Sequence, residues 1–304
     1  MKILMTGATG YIGNKLCLKL IKAGHSLRIV TRNQSKAAQI VAFTPEWIEC
    51  DLMNRPLKAE NFTGVDAVIN LIGENIDGRW TKEKKRLIID SRVASAKNLL
   101  QHCPDTLKTL LTVSAQGYYG DRGDEILDES ATRGSSFLTE VCEAWEKPFR
   151  DWAERTQTRV VILRLGLVLS PEGGALKKLI SIFKMNLAAP LGSGKQWMSF
   201  IHLDDLNELF VSAISDDRYH GVINAVAPEP IRNQDFTKAL SQTLKVIQLP
   251  NAPAFVIKLA LGEMSELVLS STRVTPRKLI DLGFRYKYPK LEDALAELAE
   301  VGSH

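Results

Sequence analysis

Apolar and polar positions along the first half of the chain fall into short blocks of two kinds, strand-like runs and helically spaced segments. Ile3-Leu4-Met5 is a compact apolar run, and the segment after it places apolar residues at Ile12, Leu16, Leu20 and Ile21, the spacing of one helix face. Ser26 to Thr31 is a β-branched run, followed by Arg32 and a helical stretch rich in Ser, Lys, Ala and Gln. The same alternation continues with strands over 47–50, 65–71, 107–113 and 159–165, and helices over 81–101 and 135–156. Trp145 and Trp152, seven apart in the second of these helices, share one face and read as core. Strands of nearly continuous apolar character between helices predict a doubly wound parallel sheet, an α/β fold.

Beyond residue 165 the rhythm loosens, with Pro171, Gly173-Gly174, Pro190 to Gly194 and Pro228-Glu229-Pro230 punctuating shorter segments. Helical patterns start near Leu203 and cover 252–269, 275–281 and 291–299, with a strand over 221–226. The expected organisation is a Rossmann domain over 1–165, joined again by segments near 200–227, and an interleaved, mostly helical substrate lobe over 166–301. Gly302-Ser303-His304 reads as a tag remnant.

The richest local signal is Thr6-Gly7-Ala8-Thr9-Gly10-Tyr11-Ile12-Gly13, between the first strand and the first helix. Gly7 suits backbone angles closed to other residues, Gly10 lets the chain approach a diphosphate, and Gly13 lets helix and strand pack closely. The helix start turns free N–H groups toward an anion. These features predict a dinucleotide site, with Thr6, Gly7, Thr9, Gly10, Tyr11, Ile12 and Gly13 around the phosphates.

At the end of the second strand, where such folds separate NAD from NADP, the chain reads Thr31-Arg32-Asn33-Gln34-Ser35-Lys36, without a carboxylate. Arg32 offers a forked set of donors and Lys36 follows one turn later, which favours NADP(H) over NAD(H); the plain alternative is a solvated turn arginine. Asp51, beside Leu52, reads as an adenine ligand or a cap. Leu71 and Gly73 end the fourth strand at the ribose side, and Ser114 and Leu165 end later strands on the same edge.

Composition adds mostly exclusions. The chain has 304 residues, 45% of them hydrophobic, enough for a large core, and 39 basic against 35 acidic residues leave a net charge of +4 with no basic stripe for nucleic acid. Cys17, Cys50, Cys103 and Cys142 are far apart, so reduced core thiols are expected rather than disulfides or a metal site. No signal-like start or apolar run long enough to span a bilayer is present, so a cytoplasmic protein without membrane contact is expected. Oligomeric state is left open.

Together these motifs resemble the extended short-chain dehydrogenase/reductase superfamily in its epimerase/dehydratase form. The resemblance covers nearly the whole chain. It extends to Asn70-Leu71-Ile72-Gly73-Glu74-Asn75-Ile76, Arg79-Trp80-Thr81, Ser91-Arg92-Val93, Ser114-Ala115-Gln116-Gly117-Tyr118-Tyr119-Gly120, Phe137 to Cys142, Arg164 to Val168 and Phe200 to Leu206, features of an atypical sugar-nucleotide epimerase-like group. Gly262-Glu263-Met264, Arg273-Val274-Thr275-Pro276 and Gly283-Phe284-Arg285-Tyr286 resemble its C-terminal DUF1731-type module.

Active members of the superfamily carry a Tyr-x-x-x-Lys pair on the helix read here at 135–156, with a Ser or Thr holding the substrate oxygen. That helix contains no tyrosine, and aligning it by Glu146 places Leu138 and Cys142 in the two positions and Ala115 in the third, with Ser114 adjacent. Proton transfer therefore falls to other groups at the same edge: Glu74, Tyr118, Glu140 or His202, the last also a candidate on the nicotinamide side. Each has a plainer reading, as a loop carboxylate, a packed aromatic or a turn-fixing histidine. Trp80, Tyr119, Lys195 and Trp197 are candidate substrate contacts. The resemblance implies an oxidoreductase- or epimerase-like activity on a small molecule such as a nucleotide sugar; the alternative is a non-catalytic module that senses NADP(H) and meets a protein partner, which a cell-division label on some relatives fits.

Overall fold

The computed structural model describes residues 1–301, with side chains through Glu297; Gly302, Ser303 and His304, read above as a tag remnant, lie outside the described residues. Seven parallel strands form the central sheet: β1 (Lys2–Thr6), β2 (Ser26–Thr31), β3 (Glu46–Glu49), β4 (Ala67–Asn70), β5 (Thr109–Ala115), β6 (Arg159–Leu165) and β7 (Gly221–Ala225). Their order is β7-β6-β5-β4-β1-β2-β3. Strand addition reverses direction between β1 and β4, and such a switch point opens a crevice at the carboxyl ends of the strands. The fully buried side chains of Thr6, Asn70 and Thr112 lace β1, β4 and β5 together there. Thr6 Oγ1 donates to Asn70 Oδ1 at 2.7 Å, and Asn70 Nδ2 donates to Thr112 Oγ1 at 3.1 Å.

Helices α1 (Tyr11–Lys22), α2 (Gln34–Ala38), α3 (Lys82–Leu100), α4 (Phe137–Arg155), α5 (Gly174–Lys184), α6 (Leu203–Ser215) and α7 (Asn233–Leu244) follow in chain order. The two longest start at side-chain caps: Thr81 Oγ1 accepts from Lys84 N–H, and Ser136 Oγ from Thr139 N–H. Helix α3 packs on α4 and α1 on α6, and Trp145, Phe149 and Trp152 enter the main core from α4.

A second apolar cluster, including Leu176, Phe183, Phe200, Phe236, Leu240 and Leu291, forms the core of the later segments. Three short strand pairs tie distant stretches together: Leu167–Leu169 with Phe200–His202, Trp197–Met198 with Ile231–Arg232, and Ile126–Leu127 with Arg273–Val274. The helix expected over 252–269 is broken. It runs as Ala254–Leu261, then turns at Gly262, whose φ of +58° lies in the left-handed region, into a short turn and Glu266–Leu269. Among the described residues no helix is long and apolar enough to cross a membrane.

Candidate functional site

The glycine turn is fixed by steric necessity at two of its three positions. Gly7 has φ +72°, and a Cβ there falls 2.8 Å from the carbonyl carbon and oxygen of Leu71. A Cβ on Gly13 falls 2.2 Å from the carbonyl oxygen of Gly7, so only glycine lets α1 sit this close to β1. Gly10 is freer, with its nearest neighbour at 3.2 Å, and it caps α1 without any side-chain bond. The first N–H groups of α1 are thus left for another acceptor, beside exposed Thr9 and Gly10 and half-buried Ile12. This cradle fits a dinucleotide diphosphate.

Around it the expected residues divide. Arg32 is exposed at the end of β2, where Asn33 Oδ1 accepts from Lys36 N–H at 2.8 Å and starts α2. Leu71 and exposed Gly73 follow β4, and half-buried Leu165 ends β6 on the same edge. Asp51 closes its own turn, accepting from Met53 N–H and from Asn54 Nδ2, while Leu52 is buried below it. Thr6 does not reach the phosphate cradle by its side chain, since its hydroxyl is fully buried and committed to Asn70. The Tyr11 hydroxyl meets Ser170, and a Cβ on Gly173 falls 2.5 Å from its ring, so the loop at 170–173 lies directly on the start of α1. Lys15 and Glu172 pair across the same contact.

Beneath the edge between β5 and β6 lies a buried polar network that the sequence did not announce. The Glu146 carboxylate, 1% exposed, accepts from Ser114 Oγ at 2.7 Å, from Arg164 Nε and Nη2 at 2.8 Å each, and from Arg150 Nη1 at 2.9 Å. Arg164 Nη1 donates to the Tyr119 hydroxyl, which donates to Asn224 Oδ1 at 2.7 Å. The guanidinium carbon of Arg164 lies 3.3 Å from the centre of the Tyr118 ring. Burial pushes the Tyr119 phenol up to about 12, so it stays protonated at neutral pH.

Several expectations for the chemistry give way here. Ser114 has its hydroxyl bound to Glu146, so it is not a free holder of a substrate oxygen. Tyr119 is fully buried and faces Asn224, not a ligand. Trp80 is buried too; its Nε1 donates to the Ile76 carbonyl and its ring packs edge-on against Phe137, so it is the core of a small apolar cluster. Trp197 is held by Asp124 through Nε1, with the guanidinium carbons of Arg232 and Arg273 at 3.9 and 4.4 Å from its ring centre. Lys195 is exposed in the adjacent loop. His202 is buried, its Nδ1 accepts from Asp204 N–H to cap α6, as the turn-fixing alternative expects, and its Nε2 lies 2.8 Å from Glu297. The Glu140 carboxylate stands exposed in the first turn of α4.

The two customary catalytic positions are packed shut. A Cβ on Gly117 meets Leu138 Cβ at 3.1 Å and Cys142 Sγ at 3.7 Å, so both side chains press on the turn after β5. Burial pushes the Cys142 thiol up to about 11, which keeps it inert. Glu74 is tied to Lys84 at 2.7 Å; Tyr118, half-buried on the turn after β5, has its ring under the Arg164 guanidinium, but its hydroxyl has no hydrogen-bond partner among the described residues. A cavity of about 300 Å³ beside α1 is lined by Lys15, Ser170, Glu172, His202 and Asn207, and one of about 730 Å³ beside Leu107 and Thr156 lies at the opposite sheet edge.

The NAD dependent epimerase/dehydratase family matches residues 3–225, well over half of the chain. The chain belongs to that family. Residues 252–298 match DUF1731, a domain of unknown function, so this epimerase-family chain carries both modules. It is 36% identical to the epimerase family protein SDR39U1 homolog, chloroplastic, of Arabidopsis thaliana, over 99% of this chain and 87% of that protein. It is 33% identical to the epimerase family protein YfhF of Bacillus subtilis, over 98% of each. Among solved structures, the human epimerase family protein SDR39U1 with NADPH superposes with a TM-score of 0.85 at 29% identity, covering 99% of both chains. The nucleoside-diphosphate sugar epimerase of Corynebacterium glutamicum gives 0.77 at 30% identity, covering all of this chain and 59% of that one. Nucleotide-cofactor binding is thus a property of the fold and family to which this epimerase-family chain belongs.

Proposed function

We propose that this chain binds NADP(H) across the carboxyl edge of its sheet and acts on a small carbonyl or alcohol, with nucleotide sugars the leading substrate class. The glycine turn carries the reading, because Gly7 and Gly13 occupy positions that no other residue fits without displacing backbone. In this reading the N–H groups opening α1 hold the diphosphate, and Arg32 with Lys36 holds the 2′-phosphate beside the start of α2, where Glu49 of β3 accepts from Gln34 N–H at 2.8 Å and β2 itself contributes no carboxylate. The human relative solved with NADPH supports that choice, and the Corynebacterium relative named a nucleoside-diphosphate sugar epimerase supports the substrate class. Nicotinamide, when bound, supplies or takes up a hydride. Tyr118 is assigned the proton, since it is the partly exposed phenol at this edge and Leu138 and Cys142 carry no acid–base function.

A second reading, an NADP(H)-responsive binding module, draws on the closed packing of Leu138 and Cys142 and on the commitment of Ser114 to Glu146. One assay separates the two. Purified protein is incubated with NADPH and a panel of nucleotide sugars, ketones and quinones, following nicotinamide absorbance and products. The enzymatic reading expects turnover with at least one substrate, reduced at least about tenfold in Tyr118→Phe with NADPH affinity unchanged, the usual worth of a positioned proton donor. NADPH binding with no turnover across the panel supports the sensing module instead.

A further inference from the structure

A buried arginine stands beside the loop that follows β4. Arg92, in the middle of α3, is 7% exposed, and its guanidinium lies against the loop that follows β4: a Cβ on Gly73 falls 3.0 Å from Nη2 and 3.1 Å from Cζ. On its other side it rests on Trp145 of α4, 4.5 Å from the ring centre. Trp145 follows Cys142 by three residues, hence on the same side of α4. Nη1 donates to the Ile88 carbonyl, while Nε is buried without a partner among the described residues.

The carboxylates of this region are engaged elsewhere: Glu74 with Lys84, Glu146 with Arg164 and Arg150, and Glu143 with Arg150. Burial lowers Arg92 to about 10, so it still carries its charge at neutral pH. Glu74 acts on Arg92 through space while bonded to Lys84, but no carboxylate is bonded to the guanidinium itself, and buried arginines are ordinarily paired directly.

We infer that Arg92 is an oxyanion-binding residue of the cleft, presenting its guanidinium beside Gly73 to a phosphate or carboxylate oxygen of a bound ligand. A planar fork with unfilled donors suits such an oxygen, and the missing Cβ at Gly73 is what lets the guanidinium lie against the loop after β4. The location adds a mechanistic point: the positive charge absent from Cys142, where the superfamily carries lysine, reappears on the neighbouring helix α3. Two sources of the oxyanion share this chemistry, the diphosphate of the dinucleotide and an anionic group of the substrate. The inference rests on the proposed cleft only for the identity of that ligand.

The test is calorimetric titration of wild type and Arg92→Met with NADPH, UDP-glucose and inorganic pyrophosphate, with a melting curve of each unliganded protein. Methionine keeps much of the apolar stem and removes the buried charge, so Arg92→Met should fold and melt within a few degrees of wild type or above it. At least one ligand should bind it roughly tenfold to a hundredfold more weakly, the worth of charge-assisted bonds. Selective loss of NADPH assigns the diphosphate, and selective loss of UDP-glucose from the NADPH-loaded protein assigns the substrate. Unchanged affinity for every ligand that wild type binds overturns the inference while leaving NADP(H) binding intact. Failure of Arg92→Met to fold also overturns it, since the guanidinium would then be structural. A wild type that binds pyrophosphate but not NADPH refutes the cofactor reading alone, and one that binds none of the three refutes both.

Discussion

Glu146 sits under the β5–β6 edge with four hydrogen bonds to its carboxylate, and Arg164, 3% exposed, supplies two of them. Removing Arg164 strips two of these bonds and leaves the half-buried Arg150 as the only cation bonded to the carboxylate, so Arg164→Met should lower the unfolding free energy by about 2 kcal/mol, measured by denaturant titration. A loss below about 1 kcal/mol, the scale of an exposed pair, contradicts the assigned role. This network also explains why residue types misled at single positions. Ser114, Tyr119, Trp197 and His202 all carry groups that serve ligands in other proteins, but here each finds a partner remote in sequence: Glu146 for Ser114, Asn224 for Tyr119, Asp124 for Trp197 and Glu297 for His202. Partners separated by 32 to 105 residues leave no local trace in the chain. Gly13 was legible because its constraint is local, the Gly7 carbonyl within the same strand-to-helix turn, and Gly7 because the turn needs its positive φ, although the Leu71 backbone that also excludes a Cβ there is remote in sequence.

At the scale of elements, that turn joins β1 to α1 and sets their separation. Gly13→Ala places a methyl 2.2 Å from the Gly7 carbonyl oxygen, whereas Gly10→Ala meets the same oxygen at 3.2 Å. The first forces α1 off β1 and should cost about 2 kcal/mol or more, as overpacking does; the second should leave the melting temperature within a few degrees. Comparable melting temperatures for the two variants contradict the close-packing role given to Gly13. Strands and helices of the first half follow the sequence reading closely, because each buries a continuous apolar run or stripe. β2 and β6 match their expected bounds, and α3 lies within the expected 81–101. The short pairs such as Ile126–Leu127 with Arg273–Val274 were not legible, since two residues carry no periodicity and the pairing closes a very long loop. Helices α5 and α7 escaped notice in the irregular later half, and the break at Gly262 divided a segment whose apolar content reads as one helix.

For the whole molecule, one geometric fact organises the rest: β1 and β4 are adjacent at the reversal of strand order, so the glycine turn, Gly73 and the end of β2 share one edge. The parallel α/β sheet was legible from the alternation of strands and helices alone. Which side chains face the cleft was not, because that depends on how the later segments pack back onto the sheet. The account stands on NADP(H) binding through Arg32, and calorimetric titration of NADPH and NADH into wild type and Arg32→Glu tests it directly. NADPH should bind wild type at least about tenfold more tightly than NADH, and Arg32→Glu should weaken NADPH by a similar factor while leaving NADH nearly unchanged. Equal affinities in wild type, or an NADPH affinity that the substitution does not alter, contradict the account.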